Sequence, residues 1–313
     1  MIYTLALNPA IDRTFWVDRI DFDDSNRVEK ERRYPGGKGI DISRVLSNLG
    51  LPNRALGFIG GYAGDELECR LTSEGVDCDF VRISGETRTN IVVHESCTGR
   101  QILLTTSGPE VSPYELGRLL KQVEGLKDPT LVAVGGSLPP GVHPEMYRRL
   151  IIMMKVRGVP TLLDADGEAL RVGIQGRPDY IKPNIHELSR LVGREISDVD
   201  DLIEAAESIR RRGVGTVLVS WGARGMVLVG EENRYMAVPP KVDVVNTVGV
   251  GDSAVAGFIY GLATGLDLKD CLTLATAAGT ATTLKPGTAR ANREDVLAMV
   301  PRIGSTDLTG RRR

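Results

Sequence analysis

Residues 246–253 read Asn-Thr-Val-Gly-Val-Gly-Asp-Ser, a glycine-rich turn that runs directly into an apolar pattern. The apolar residues that recur there at i, i+3, i+4 and i+7 are Val255, Phe258, Ile259 and Leu262. This spacing predicts a helix over residues 252–264. Glycines allow close approach of the backbone, and the first amides of a helix are unsatisfied donors with a partial positive charge. The stretch therefore predicts an anion-binding turn.

Asp252, at the start of that helix, has two interpretations. A carboxylate at a helix start can simply cap the helix. Beside a bound phosphoryl group, the same carboxylate can orient an attacking hydroxyl and take its proton, while the amides of the turn stabilise charge on the transferring group. The local residues leave both interpretations open.

A second glycine-rich turn, residues 35–39 (Pro-Gly-Gly-Lys-Gly), precedes a helix predicted over residues 39–49, with Gly50 as its C-terminal stop. Lys38 adds a full charge to the helix-start amides, which suits a second anion. An ordinary tight turn is the alternative. The spacing fits neither a P-loop nor a dinucleotide-binding motif.

The segment at residues 182–187 (Lys-Pro-Asn-Ile-His-Glu) lies at the end of a predicted strand, where ligands gather in open α/β sheets. Asn184 and Glu187 are three apart and share a helix face, where they can hold water around a magnesium ion. The alternative is a capping box, in which the two side chains satisfy backbone donors reciprocally.

A fourth glycine-containing segment, residues 220–225 (Ser-Trp-Gly-Ala-Arg-Gly), stands between an apolar strand and the next strand. Its glycines allow the backbone to approach a nucleotide, or simply shape a turn. These two interpretations are also left open.

Apolar, β-branched runs alternate with helical patterns along the chain. The runs are IYTLAL, ALGFIG, LVAVGG, PTLLDAD, DYIKPN and TVLVSWG. This alternation predicts an α/β fold with a mostly parallel sheet that helices cover on both faces. We expect the α/β body to comprise residues 1–11, 36–86 and 108–313.

Two stretches, residues 12–35 and 87–107, alternate polar and apolar residues instead, and residues 95–99 offer a hairpin turn. They predict an antiparallel β-flap inserted in the body. A flap with one apolar face is not stable alone in water. We therefore expect it to cover an active site, a partner subunit, or both.

Composition excludes several classes of function. The 313 residues include 39 Lys and Arg and 41 Asp and Glu, and the net charge of −2 gives no global field for nucleic acid or anionic lipid. The four cysteines form no C-x-x-C pair, and no apolar run reaches the length of a membrane span. We expect a cytoplasmic protein with a small-molecule partner, without nucleic-acid or membrane binding.

From near residue 3 to about residue 290, these segments resemble the PfkB branch of the ribokinase-like sugar kinases. The family motifs are matched by the G-x-G-D turn at residues 249–252, N-x-x-E at 184–187 and the glycine pair at 36–37. The subgroup that acts on phosphorylated ketohexoses adds motifs matched at residues 8–12, 36–40, 136–141 and 182–188. The resemblance implies a three-layer α/β/α sandwich with a small β-flap, or lid.

The resemblance also implies roles for individual residues. Asp252 is the expected catalytic base, with the anion hole formed by the amides of Gly249, Val250 and Gly251. The residues implied in binding the phosphosugar are Asp12, Arg27, Gly37, Lys38, Asp41, Arg88, Ser137 and Asp252. Of these, Asp12 holds sugar hydroxyls, and Lys38 and Arg88, with Arg27 from the flap, bind the phosphate already on the sugar.

ATP and Mg²⁺ are the implied nucleotide and metal, with a requirement for potassium near the anion hole left open. The residues implied in binding ATP are Lys182, Asn184, Ser220, Gly222, Gly225, Gly251, Gly279 and Thr283. Glu187 is expected to act on Mg²⁺ through water. The resemblance further implies a homodimer in which the flaps of two subunits pair.

Two positions depart from the family pattern. Asp41 stands where the helix after the second glycine-rich turn usually carries Asn, and Val250 replaces Ala in the anion-hole turn. A carboxylate at position 41 should repel a phosphosugar unless a cation or a hydroxyl compensates. Val250 matters less, because the anion hole uses backbone amides.

The resemblance therefore implies ATP-dependent phosphorylation of a ketohexose monophosphate to the bisphosphate. Fructose 1-phosphate is the expected acceptor, and fructose 6-phosphate and tagatose 6-phosphate are the close alternatives. A nucleoside or free-sugar kinase of the same fold is a rival, as is a non-catalytic sugar-phosphate sensor.

Overall fold

The computed structural model describes residues 1–285 and 290–310. Its strands are β1 (Ile2–Ala6), β2 (Ala10–Val17), β3 (Lys30–Gly36), β4 (Asn53–Ile59), β5 (Asp77–Arg82), β6 (Arg88–Glu95), β7 (Gln101–Leu104), β8 (Leu131–Gly135), β9 (Thr161–Asp164), β10 (Tyr180–Ile181), β11 (Thr216–Ser220), β12 (Met226–Val229), β13 (Arg234–Val238) and β14 (Gly304–Asp307).

The α-helices are α1 (Lys38–Asn48), α2 (Gly61–Ser73), α3 (Pro113–Glu124), α4 (Glu145–Val156), α5 (Gly167–Gly173), α6 (Ile185–Val192), α7 (Val199–Arg210), α8 (Val250–Ala263), α9 (Leu268–Thr283) and α10 (Arg293–Met299). Single 3₁₀ turns occupy Ile174–Gly176, Gly222–Arg224 and Val300–Arg302. The helices predicted over 39–49 and 252–264 correspond to α1 and α8.

Ten strands form one sheet in the order β14-β13-β12-β11-β10-β9-β8-β1-β4-β5. The pairs from β11 through β5 are parallel, whereas β12, β13 and β14 add antiparallel strands at one edge. Each predicted apolar run contributes a strand of the parallel part. The predicted α/β class with a mostly parallel sheet is therefore confirmed.

Helices cover both faces of this sheet. In β1, Tyr3 and Leu5 pack into one buried cluster with side chains of α3, α4 and α7, whereas Ile2 packs into a second cluster with α8 and α9. Strands buried on both faces carry continuous apolar runs, because successive side chains point to opposite layers. Within residues 1–285 and 290–310, no helix is long and apolar enough to span a bilayer.

A second sheet of four strands, in the order β3-β2-β6-β7, largely coincides with the two stretches where the flap is predicted. Strand β2 begins two residues earlier, at Ala10, and β3 ends one residue later, at Gly36. Its hairpin turn at residues 95–99 includes a bond from the Gly99 amide to the Glu95 carbonyl at 2.9 Å. The prediction of an antiparallel flap is wrong for the central pair, since β2 and β6 run parallel. Strand β2 follows β1, and β6 follows β5. Both strands therefore leave the main sheet from the carboxyl ends of its parallel strands and run in the same direction.

Close packing of α1 on β1 depends on Gly39. A Cβ on this residue would lie 2.6 Å from the carbonyl oxygen of Leu5. This approach brings the start of α1 to the carboxyl end of β1, and it fixes the position of the glycine-rich turn relative to the sheet.

We predict that substitution by alanine changes the free energy of unfolding in opposite directions at two glycines in helices. Gly39→Ala should lower the free energy of unfolding by about 1–3 kcal/mol through overpacking. Gly117→Ala, in an exposed part of α3 with nothing near the added Cβ, should raise it by about 0.5–1 kcal/mol through helix propensity. Urea denaturation of both variants checks the pair, and equal effects would contradict the tight contact.

Candidate active site

The carboxyl ends of the parallel strands meet along one edge of the large sheet, where open α/β sheets bind ligands. Asp164 is the last residue of β9, and Asn8, Ser137 and Lys182 follow β1, β8 and β10 within two residues. Four separate parts of the chain therefore place polar side chains at the same edge.

The glycine-rich turn at residues 246–249 leads into α8 at this edge. Gly249 precedes the helix at φ 71°, in the left-handed region that favours glycine, and it offers no capping side chain. Asp252 is the third residue of α8, so the interpretation of Asp252 as the residue that caps the helix is not supported. The first amides of the helix remain the donors expected of an anion-binding helix start.

Asp252 lies buried among other charges. Burial, followed by the negative charge of Asp41, raises the pKa of Asp252 to about 7, while Lys38 and Arg290 act in the opposite direction. A carboxyl group with a pKa near 7 can accept a proton during a reaction and release it again. The electrostatics of this position suit general base chemistry.

Asp164 holds two lysines that approach from different sides. Its Oδ1 accepts from Lys38 Nζ at 2.7 Å, its Oδ2 lies 3.4 Å from Lys182 Nζ, and its side chain is fully buried. Lys182 is also close to the helix start, since a Cβ on Gly251 would lie 3.3 Å from its Nζ. Lys38, which is predicted to bind the phosphosugar, and Lys182, which is predicted to bind ATP, therefore contact the same carboxylate.

Asp12 enters the site from the flap. Its Oδ1 accepts from Asn90 Nδ2 at 2.8 Å, across the parallel β2–β6 pair. Burial, and then the charge of Asp41, raise the pKa of Asp12 to about 6. A Cβ on Gly36 would lie 2.2 Å from Asp12 Oδ2, so glycine at this position makes room for the carboxyl group. The neighbouring Gly37 has φ 110° and lies against the Cα of Pro9.

Arg88, the first residue of β6, is held by neutral oxygens. Its guanidinium donates to the carbonyls of Asn8 and Thr106 at 2.8–3.1 Å and to Ser137 Oγ at 3.2 Å. Desolvation lowers the pKa of Arg88, with the charge of Asp12 opposing it. A fixed, part-buried cation whose described contacts are neutral oxygens is suited to an anion.

Asp41 is compensated by two arginines. Its Oδ1 lies 2.7 Å from Arg290 Nη2 and 3.3 Å from Arg44 Nη1. The cation that a carboxylate at this position requires is therefore present. Arg290 was not anticipated from the sequence, because it lies about 250 residues away and belongs to no motif.

A cavity of about 430 Å³ lies beside the start of α8, where Val250, Gly251 and Ala254 line it. Six of the residues predicted to bind ATP line it: Ser220, Gly222, Gly225, Gly251, Gly279 and Thr283. Its far wall consists of the 239–242 segment and Val244, which sequence reasoning missed because a loop of prolines and valines carries no motif. The cavity lining is mainly apolar, as is common in small-molecule sites.

Asn184 and Glu187 form a capping box at the start of α6. Asn184 Oδ1 accepts from the Glu187 amide at 2.9 Å, and Glu187 Oε2 accepts from the Asn184 amide at 2.8 Å. The capping alternative is therefore correct in geometry. Glu187 also lines a cavity together with Lys38, Ser137 and Asp166, so the capping box does not remove it from the site.

Arg27 is the predicted site residue that this chain does not bring to the cluster. It is exposed in the loop between β2 and β3, beyond the Trp16–Lys30 pair. That loop lies at the opposite end of the hairpin from Asp12 and Gly36. Within one chain, the length of β2 keeps Arg27 away from Arg88.

A family model described as pfkB family carbohydrate kinase matches residues 5–295. The chain belongs to this family. The family resemblance found in the sequence motifs is thereby confirmed, as is the assignment of the chain to the kinases.

Two curated relatives are similar over nearly their whole length. Proteins named 1-phosphofructokinase from Borreliella burgdorferi and Bacillus subtilis are 34% and 33% identical to the chain; the alignments cover 91% and 90% of this chain and 92% of each relative. Among solved structures, phosphofructokinase-2 from Escherichia coli in complex with potassium superposes with a TM-score of 0.92 at 34% identity, covering 96% of this chain and 98% of that one.

Proposed function

We propose that the chain is an ATP-dependent 1-phosphofructokinase, which converts fructose 1-phosphate to fructose 1,6-bisphosphate. The observation that carries the proposal is Asp252, buried at the start of α8, where Val250 and Gly251 line the proposed nucleotide cavity and where the charge of Lys38 lowers the pKa of Asp252. The names of the two curated relatives support the choice of acceptor. A second candidate, 6-phosphofructokinase, is favoured by the similarity to phosphofructokinase-2 from Escherichia coli.

In this proposal Asp252 takes the proton of the acceptor hydroxyl as the oxygen attacks the γ-phosphorus of ATP. The amides of Gly249, Val250 and Gly251 receive the charge that develops on the transferring group, because preorganised donors stabilise such charge without rearranging. Lys182, beside the helix start, adds a full positive charge on the nucleotide side. The transferred group then leaves with the sugar oxygen, and ADP remains.

The phosphate already present on the sugar is assigned to Arg88 and Ser137, together with Lys38. Lys38 lines a cavity with Gly136 and Ser137 while its ammonium is bound to Asp164. Asp12 receives sugar hydroxyls, since a carboxylate accepts hydrogen bonds from such groups. A free-sugar or nucleoside kinase would have no use for the fixed Arg88.

ATP is the proposed phosphoryl donor and Mg²⁺ the proposed metal. Mg²⁺ usually binds through one or two carboxylates, several waters and substrate phosphates. Glu187 suits this pattern, since one oxygen serves the capping box and the side chain still lines the cavity with Lys38. Among the described residues, no cluster of three acidic, histidine or cysteine side chains forms a dedicated metal cage. Bound Mg²⁺ would neutralise charge on the phosphates.

Potassium stays a candidate monovalent cation near the anion hole. Phosphofructokinase-2 from Escherichia coli, which is similar to this chain over 96% of its length, was solved in complex with potassium.

We also propose a homodimer in which the flaps of two subunits pair. The edge strand β7 is exposed, and Leu103 and Leu104 are 58% and 54% exposed. An exposed apolar edge strand favours pairing with another chain. Such pairing also gives the exposed Arg27 a route toward a site that it does not reach in its own chain.

The acceptor is tested by a coupled ADP-release assay with MgATP and six acceptors: fructose 1-phosphate, fructose 6-phosphate, tagatose 6-phosphate, fructose, ribose and adenosine. We expect kcat/KM for fructose 1-phosphate to exceed the others by about tenfold or more, equivalent to about 1.4 kcal/mol. A preference for fructose 6-phosphate would select the second candidate. A preference for an unphosphorylated acceptor would overturn the role of Arg88, and binding without turnover would identify a sensor.

The role of Asp252 predicts a pH dependence. Because its pKa is raised to about 7, the carboxylate is lost as pH falls through that value, so kcat/KM should fall about tenfold per unit below it. Asp252→Asn should lower kcat by about 10²–10⁴-fold while ATP binding is retained.

The Asp252→Asn variant also separates the titration of Asp252 from the titration of the acceptor phosphate. The acceptor phosphate titrates at about pH 6. The fall in kcat/KM that it causes should persist in Asp252→Asn, while the fall near pH 7 disappears. A fully active Asp252→Asn enzyme would remove Asp252 from the mechanism.

The dimer is tested at its apolar edge. Leu103→Lys with Leu104→Lys should shift the sedimentation coefficient from that of a dimer to that of a monomer, because like charges then face each other at the paired edges. Leu297→Lys, on the exposed face of α10, is the matched control and should leave the dimer intact. A monomeric parent protein with full activity would contradict the proposal.

A further inference from the structure

A buried ion pair lies beside the anion-hole turn and has no part in the scheme above. The side chains of Asp41 and Arg290 are 5% and 1% exposed, and Asp41 Oδ1 lies 2.7 Å from Arg290 Nη2. Taking two charges out of water is costly unless each finds a partner. Asp41 also occupies a position where the family motif usually has a neutral Asn. The chain thus carries an extra buried charge at position 41 together with its counter-charge.

Arg290 packs directly on the backbone of the turn. Its Cζ would lie 2.3 Å from a Cβ on Gly249, and its Nη1 lies 3.4 Å from the carbonyl oxygen of Val248. One guanidinium therefore connects α1, which carries Asp41, with the turn whose amides start α8. The positive φ of Gly249 favours glycine, and a side chain there would also displace the Arg290 guanidinium.

The pair also acts on the carboxylates that face the acceptor. Asp41 raises the pKa of both Asp12 and Asp252, and Arg290 lowers the pKa of both. The other charges that act on Asp252 are Lys38 from α1, which lowers its pKa, and Asp164 from β9, which raises it. Arg290 thus offsets the effect of Asp41 at both carboxylates.

We propose that Arg290 is a positioning residue that neutralises Asp41 and holds the anion-hole turn, so that a carboxylate at position 41 is compatible with a base at Asp252. The inference rests on the proposed kinase function. It assigns Asp41 and Arg290 to one charge-balanced pair. Loss of either charge changes the proton affinity of Asp252, and loss of both charges changes it little. Arg44, at 3.3 Å from Asp41, anchors the carboxylate from within α1.

The test is a double-mutant cycle read by the pH profile of kcat/KM. Asp41→Asn should move the apparent pKa of the acidic limb down by about one unit, and Arg290→Met should move it up by about one unit. The double variant Asp41→Asn/Arg290→Met should return toward the parent value. Arg290→Lys, which keeps the charge, should lie closer to the parent than Arg290→Met.

The matched control is Lys285→Met. Lys285 forms an ion pair with Asp295 at 2.6 Å near the surface, so the variant removes a paired cation that is close in sequence to Arg290 but does not contact Asp41. It should leave the pH profile unchanged. The proposal is overturned if Lys285→Met reproduces the shift of Arg290→Met, if both single variants shift the limb in the same direction, or if Asp41→Asn leaves it in place.

A second readout requires no substrate and therefore separates this inference from the choice of acceptor. In urea at pH 7, Arg290→Met should unfold at a lower concentration than Asp41→Asn/Arg290→Met, because only the single variant leaves Asp41 without its strongest counter-charge. Equal midpoints would show that the two charges are not coupled. If the kinase proposal fails but the midpoints differ as expected, the pair stands and the acceptor assignment falls.

Discussion

The fully buried carboxylate of Asp164 constrains the whole site, because it binds two lysines that belong to different halves of it. Lys38 comes from the glycine-rich start of α1, and Lys182 comes from the end of β10, close to Gly251 at the start of α8. If either ammonium moves away, it loses its contact with a fully buried carboxylate, and breaking a buried ion pair is unfavourable. The position of the α1 start relative to the end of β10 is therefore set by electrostatics as well as by the sheet.

The parts of the structure that follow local rules could be predicted from the sequence. Apolar spacing identified α1 and α8, and apolar runs identified the parallel strands, because burial on both faces leaves a clear pattern. The anion-binding turn followed from Gly249 and Gly251 before a helix. The lining residues Gly279 and Thr283 came only from the family resemblance, since nothing in their local sequence marks them.

Contacts between distant parts of the chain could not be predicted in the same way. Asp164 looked like the end of a strand, and nothing local indicates that two lysines converge on it. Arg290 pairs with Asp41 across about 250 residues, and one sequence contains no signal that links them. Asn184 and Glu187 show a different limit: capping and metal binding were treated as alternatives, although a carboxylate has two oxygens and can serve the helix with one of them.

The parallel pairing of β2 with β6 has a consequence for the order in which the protein folds. Ala10 pairs with Arg88, and the chain between them contains β4 and β5 of the main sheet. Contacts this distant in sequence tend to form after the intervening chain has been organised, since loop closure costs entropy before it is rewarded. We therefore expect the flap to assemble late, on a main sheet that has already formed, and Asp12 to meet Asn90 late in folding.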